Sequence, residues 1–318
     1  MGIDRRRYLM GHSLRRAKTE DYASAFYCTS GKVLYESKDS GKTWASRNIA
    51  TTTTRPVLAI GGSQQVVAAG TGLQYWSPST SGSIACKGTP VNVCMSTGSE
   101  FIFYGVNSGT GWTTGYSTTL YKKSGTGGTP SAKVTFNSWD QSSPRMACSS
   151  DGKYICIGGL ANYTNGFTST NFGESWTETL ATSSYGNGAT SVDMDNSGKY
   201  TLVGSQGGLN RSVNSLASFT HDNSANVDSV AVSGDGNVMY YDVSGTGFYM
   251  SLDHGASWVK RGSLNGFSKI VCSYTGQVVL AVGNTSKNLF RSNDYGATWA
   301  TVVSSGNVVD VVLDKNRK

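Results

Sequence analysis

With 318 residues the chain is ample for one large domain, but 37% hydrophobic and 15% charged residues, 40 Gly and 45 Ser make poor material for long helices, whose apolar faces they dilute. No stretch approaches the roughly 18 consecutive apolar residues of a membrane helix, and the basic N-terminus lacks the apolar run of a secretory signal, so neither membrane spanning nor signal-directed export is expected. The formal charge of +7 is unevenly placed, with +4 in residues 1–20 and +3 in the rest.

In chain order, residues 1–21 form a basic arm. Arg5, Arg6, Arg7, Arg15, Arg16 and Lys18 stand there against Asp4 and Glu20. Such an arm suits docking on an acidic protein surface or on nucleic acid, and equally a solvated tail. From residue 22 the pattern changes to short apolar runs broken by Gly, Ser and Asn. Ser24–Cys28 reads as a strand that leads directly into the octapeptide SKDSGKTW at 37–44.

That octapeptide organises the remaining chain. It returns as STNFGESW at 169–176, as SVNSLASF at 212–219, as SLDHGASW at 251–258 and as SNDYGATW at 292–299, with Ser77 and Lys123 standing where eroded copies fall. The anchors recur every 39 to 46 residues, the length of one four-stranded propeller blade. Apolar runs beginning at Val57, Val91, Arg145, Ser191, Ser229, Lys269 and Val308 repeat with the same period. Turns such as Asp151-Gly152 and Asp235-Gly236 follow several of them, so each run is the innermost strand of a blade and the segment after the turn is the second. The last run stops at Asp314 where other units turn, and residues 22–44 begin with a second-strand segment. The expectation is therefore an all-β propeller over residues 22–318, of seven four-stranded blades, closed by pairing the C-terminal inner strand with the N-terminal strands. Six and eight blades are the alternatives, because the third unit is weakly marked.

The octapeptides resemble the Asp-box, or BNR, repeat S/T-x-D-x-G-x-T-W of sialidases, sortilin-type receptors, xyloglucan hydrolases and photosystem assembly factors. The resemblance implies a turn between the third and fourth strands, in which Asp39, Asp253, Asp294 and Asn171 cap backbone N–H groups. Gly41, Gly173, Gly255 and Gly296 permit positive φ there, and Trp44, Trp176, Trp258 and Trp299 pack between blades. These residues are read as structural, and the repeat names a fold rather than a reaction.

A sialidase needs three Arg, a Tyr nucleophile activated by Glu, and an Asp, all on the face opposite the repeats. Arg55 and Arg145 are the available Arg, the third is lacking, and none of the five Glu is expected on that face. For a general glycoside hydrolase two carboxyls about 5–10 Å apart are required, and Asp140, Asp222, Asp228 and Asp242 are the loop candidates. The same face offers Trp112, Tyr116 and Tyr163 among Asn, Thr and Ser, which suits a glycan or a protein partner. Together with Arg55 and Arg145 they are the candidate ligand face.

Six Cys without a CxxC pair and three His make no metal site, and no cofactor is expected. Cys148 and Cys156 flank one hairpin, either as two free thiols or as a disulfide. The body shows no Lys/Arg stripe, so nucleic acid is not an expected partner. The composition and the arm are similar to those of virion or phage-tail appendage proteins. The expectation is a non-enzymatic structural or binding propeller, made in the cytoplasm, anchored in a larger assembly by its arm and presenting a receptor- or glycan-binding face. A glycoside hydrolase and an intracellular assembly scaffold are the alternatives.

Overall fold

The computed structural model describes residues 24–29, 33–48, 57–61, 66–69, 72–77, 79–108, 116–138, 145–158, 165–181 and 188–316. Among the described residues every regular element is a strand, and no helix is long and apolar enough to cross a membrane. The basic arm lies outside the described residues.

The strands run in chain order as β1 (Ala25–Thr29), β2 (Val33–Ser37), β3 (Ala45–Asn48), β4 (Val57–Ile60), β5 (Val66–Ala69), β6 (Leu73–Trp76), β7 (Ser81–Ile84), β8 (Pro90–Met95), β9 (Phe101–Ser108), β10 (Tyr116–Ser124) and β11 (Ser131–Ser138). After these come β12 (Met146–Cys148), β13 (Ile155–Ile157), β14 (Asn165–Ser169), β15 (Thr177–Ala181), β16 (Ala189–Met194), β17 (Thr201–Ser205), β18 (Gly208–Ser212) and β19 (Thr220–Asn223). The series ends with β20 (Ser229–Val232), β21 (Met239–Val243), β22 (Gly247–Ser251), β23 (Val259–Arg261), β24 (Phe267–Cys272), β25 (Val279–Gly283), β26 (Leu289–Ser292), β27 (Ala300–Val303) and β28 (Val308–Leu313).

They pair into seven four-stranded antiparallel sheets. Six are consecutive quartets, and in the other the chain's two ends meet in the order β28-β1-β2-β3, with Ala25 opposite Leu313 and Thr29 opposite Val308. The first strands neighbour one another in the circular order β4, β8, β12, β16, β20, β24, β28 and back to β4. Sheets arranged around one axis in this way form a β-propeller, and the apolar runs predicted as innermost strands are these axis-lining strands, their ends shifted by a residue or two.

Burial explains the layering. Second strands such as β21 (MYYDV) and β25 (VLAVG) are buried on both sides, whereas outer strands such as β19 and β23 are largely exposed. The core is therefore laid between neighbouring sheets. Leu280 and Val282 of β25, for instance, pack with Ala25 and Tyr27 of β1 and Val308 and Val311 of β28.

The turns from first to second strand hold the ring at one end. Ser149 Oγ, Asp195 Oδ1 and Ser233 Oγ accept the N–H groups of Tyr154, Tyr200 and Val238 at 3.0, 2.7 and 2.9 Å. Main-chain bonds then pass from blade to blade, from Thr97 N to Ser150 O, Ser150 N to Asn196 O and Asn196 N to Gly234 O.

Candidate functional site

Each octapeptide is a turn from third to fourth strand, at the same end as the turns just described. Its first residue, Ser37, Ser251 or Ser292, accepts the N–H of Gly41, Gly255 or Gly296 at 2.8, 2.8 and 2.9 Å. The acidic residue holds the far side. Asp39, Asp253 and Asp294 each accept a backbone N–H and a hydroxyl, from Thr43, Ser257 and Thr298, at 2.9 and 2.6 Å. Where Asn replaces Asp the hydroxyl reverses its role, since Asn171 and Asn214 donate to Ser175 and Ser218 while still accepting their N–H groups.

Burial opposes ionisation of Asp39. The Thr43 hydroxyl and amide, the Ser37 hydroxyl and the Lys42 amide outweigh it and hold the carboxyl down to about 2. Asp253 and Asp294 are lowered by the same balance. These carboxylates are spent on their own turns.

The turn needs two successive left-handed residues, such as Tyr295 (φ 60°) and Gly296 (φ 77°). A Cβ on Gly296 would also collide with the Phe248 ring of the preceding blade. Leu216 takes the glycine position in the third of the five octapeptides at φ 68°, and its buried side chain offsets a backbone conformation that costs about 1–2 kcal/mol. The eroded copy at Lys123 keeps the anchoring role differently, for the fully buried Lys123 ammonium donates to the Gly128 carbonyl within its turn.

Repeats also clasp neighbouring blades. Trp299 meets Phe248 of the preceding blade edge-on at 5.3 Å. Arg211, Arg261 and Arg291 reach from preceding blades to the carbonyls of His254, Tyr295 and Ser40 at 3.0, 3.2 and 2.8 Å.

Of the predicted ligand face, Arg55, Trp112 and Tyr163 lie outside the described residues, as does Asp140, and of Tyr116 only the backbone is described, opposite Ser138 at the start of β10. Arg145 is exposed just ahead of β12, where its carbonyl accepts the Gly158 N–H at 2.8 Å. Of this face, Arg145 alone has its side chain among the described residues.

Asp222 is no open loop residue, because it forms a two-point ion pair with Arg211 at 2.7 and 3.1 Å, orienting the guanidinium that clasps His254. Asp228 accepts the Ser244 N–H at 2.7 Å. Asp242 is fully buried on β21, where one carboxylate oxygen accepts the N–H groups of Gly266 and Phe267 at 2.9 and 2.8 Å and the other has no partner among the described residues. Burial raises its pKa to about 7, against the two backbone donors and with help from the Asp228 charge.

The axis holds residues that sequence reading missed. Asp310 on β28 accepts the Leu58 N–H of the next inner strand at 2.8 Å, and Asp193 on β16 accepts that of Val232 at 2.8 Å. At the octapeptide end the segment after β28 crosses the mouth. The Lys315 ammonium meets the Asp193 carboxylate at 2.6 Å and the Met194 carbonyl, the Lys315 carbonyl accepts from Asn196 Nδ2 at 2.9 Å, and Thr97 Oγ1 donates to Asn316 at 2.8 Å. No local pattern marks Lys315, since its partners are more than 80 residues away. Among the described residues no group of three His, Cys, Asp or Glu could hold a metal ion.

Circular sheet order and an axis lined by first strands define the class as a β-propeller, and solved structures agree. The chain superposes on a Lactobacillus plantarum protein with a TM-score of 0.63 at 12% identity, covering 93% of this chain and 99% of that one. It matches a Niastella koreensis GH74 enzyme at TM-score 0.54 and 18% identity, over 90% of this chain and 44% of that one, so it spans less than half of that enzyme's length. A chain of a nidogen/laminin complex matches at TM-score 0.56 and 7% identity, over 93% and 99% of the two chains. At these identities the likeness concerns the fold. No family model and no curated protein matches the chain.

Proposed function

We propose that the chain is an Asp-box propeller of seven blades, closed by β28 against β1, and that it acts as a rigid binding or structural module. One observation carries this reading: the carboxylates best placed for chemistry are occupied by the fold. Those of the octapeptides cap turns, Asp222 holds Arg211, Asp193 holds Lys315, and Asp310 and Asp228 cap neighbouring backbone. With Lys315 across the octapeptide-side mouth, the opposite face, to which the sequence pattern assigns Arg55, Trp112, Tyr116, Arg145 and Tyr163, is the surface for a receptor or glycan.

In the narrower form of this reading the protein is a virion or phage-tail component, anchored through Arg5, Arg6, Arg7, Arg15, Arg16 and Lys18 in a neighbouring subunit. Composition and the concentration of charge in residues 1–20 support it. The test is affinity purification of full-length protein and of a variant lacking residues 1–20 from cells making the parent assembly. Capsid or tail proteins captured only by the full chain, with thermal stability equal in both forms, are expected. Equal capture by both forms removes the anchoring role.

A second reading, a glycoside hydrolase, is favoured by one observation. Asp242, raised to about 7, faces the charge of Asp228, and a raised acid beside an ionised carboxylate is the arrangement such chemistry uses. Its complete burial speaks against contact with a sugar. Release of aryl leaving groups from a panel of aryl glycosides, abolished by Asp242→Asn, would replace the binding reading.

A further inference from the structure

We propose that Cys94 and Cys148 are a dithiol site that a disulfide oxidant converts into a cross-link between two adjacent blades. Cys94 lies on β8 and Cys148 on β12, which are neighbouring inner strands that run in the same direction. The Thr97 N–H bonded to the Ser150 carbonyl at 2.6 Å fixes their register, and places the two cysteines at the same height within one residue. Both belong to one cluster with Phe103, Met146 and Ile155, and their thiols are in hydrogen-bonding contact.

Register also decides between the two partners available to Cys148. Cys156 lies opposite Ala147 on β13, and successive strand residues face opposite sides of a sheet. Cys156 accordingly packs with Ala147, Met194 and Val203 toward the next blade, while Cys148 points to the preceding one. The hairpin pairing of Cys148 with Cys156 is thus closed off by the pleat, and none of the six cysteines is in a disulfide.

The two thiols are unequal. Cys148 is partly exposed, whereas Cys94 is buried, and the Cys148 thiol held against it, together with burial, pushes the Cys94 pKa well above its ordinary value. Cys148 is therefore the entry point. As a thiolate it attacks one sulfur of oxidised glutathione, forms a mixed disulfide and expels one glutathione thiolate. The Cys94 thiol then loses its proton, attacks the Cys148 sulfur and expels the second glutathione. The protein gives up two protons and two electrons, and with them one glutathione disulfide becomes two thiols.

The experiment is incubation of the folded full-length chain with oxidised glutathione, followed by alkylation, proteolysis without reductant and mass spectrometry. A peptide pair joined through Cys94 and Cys148, lighter by the two thiol hydrogens, is expected. The cross-link closes a long loop, so Tm should rise by roughly 5–10 °C and return on adding dithiothreitol. Cys94→Ser should stop at the glutathionylated Cys148, and Cys148→Ser should leave Cys94 unmodified. The proposal is overturned if the wild-type chain, which needs no variant to fold, yields only glutathionylated cysteines, or links Cys148 to Cys156.

Discussion

Lys315 and Asp193 meet at 2.6 Å across the propeller axis, one just beyond the last inner strand and the other on an inner strand three places round the ring, past β24 and β20. The segment that follows β28 is thereby tied to blades remote from the one it completes. Replacing Lys315 by Ala should lower unfolding free energy by about 1–2 kcal/mol, the worth of a charge-assisted hydrogen bond, because Asp193 keeps the Val232 N–H. Equilibrium denaturation measures it, and an unchanged midpoint would show that the tail does not hold the ring.

The octapeptide makes a graded prediction. Asp294→Ala strands the Thr298 N–H and hydroxyl and should cost about 1–3 kcal/mol. Asp294→Asn should cost less than about 1 kcal/mol, since Asn171 and Asn214 already make the equivalent bonds. Equal losses from both variants would mean that charge, not hydrogen bonding, is what the turn requires.

Acid should act through the same turns. Asp39 is held down to about 2, below its value in the unfolded chain, and Asp253 and Asp294 are lowered likewise. A depressed carboxyl stabilises the fold fully above about pH 4 and loses that contribution as pH falls toward 2. Unfolding free energy should therefore decline over this window, and a variant with Asn at all three positions should show a shallower decline.

Asp242 should act with the opposite sign. Its folded pKa of about 7 exceeds the unfolded value, so the folded state binds the extra proton and the contribution is complete below about pH 4. It is lost as pH rises to 7 and is level above that. The difference in unfolding free energy between wild type and Asp242→Asn, followed from pH 4 to 8, should change through this interval. A difference independent of pH would place the Asp242 pKa at its ordinary value.

Much of the fold is legible from local pattern. Apolar runs at Val57, Ser229 and Val308 are of strand length and end in turn residues, and Ser, Asp and Gly at fixed offsets form a hydrogen-bonded turn from their own side chains and amides, which the Asp-box resemblance places between third and fourth strands. Even the degraded copies follow, as Asn171 and Leu216 keep the same turn. The candidate site is another matter. Asp242 reads as a loop carboxyl and proves to be buried, because its burial comes from Gly266 and Phe267 of the next blade. Cys148 and Cys156 flank one hairpin in sequence, which leaves two free thiols or a disulfide open, and only the pleat shows that Cys148 turns toward Cys94. Lys315 carries no local signal at all. Sequence by itself determined the strands and their turns, since these depend on contacts a few residues apart. Only the tertiary structure decided which carboxylates, thiols and cations face one another, because circular packing around an axis sets those meetings across distances that no local period encodes.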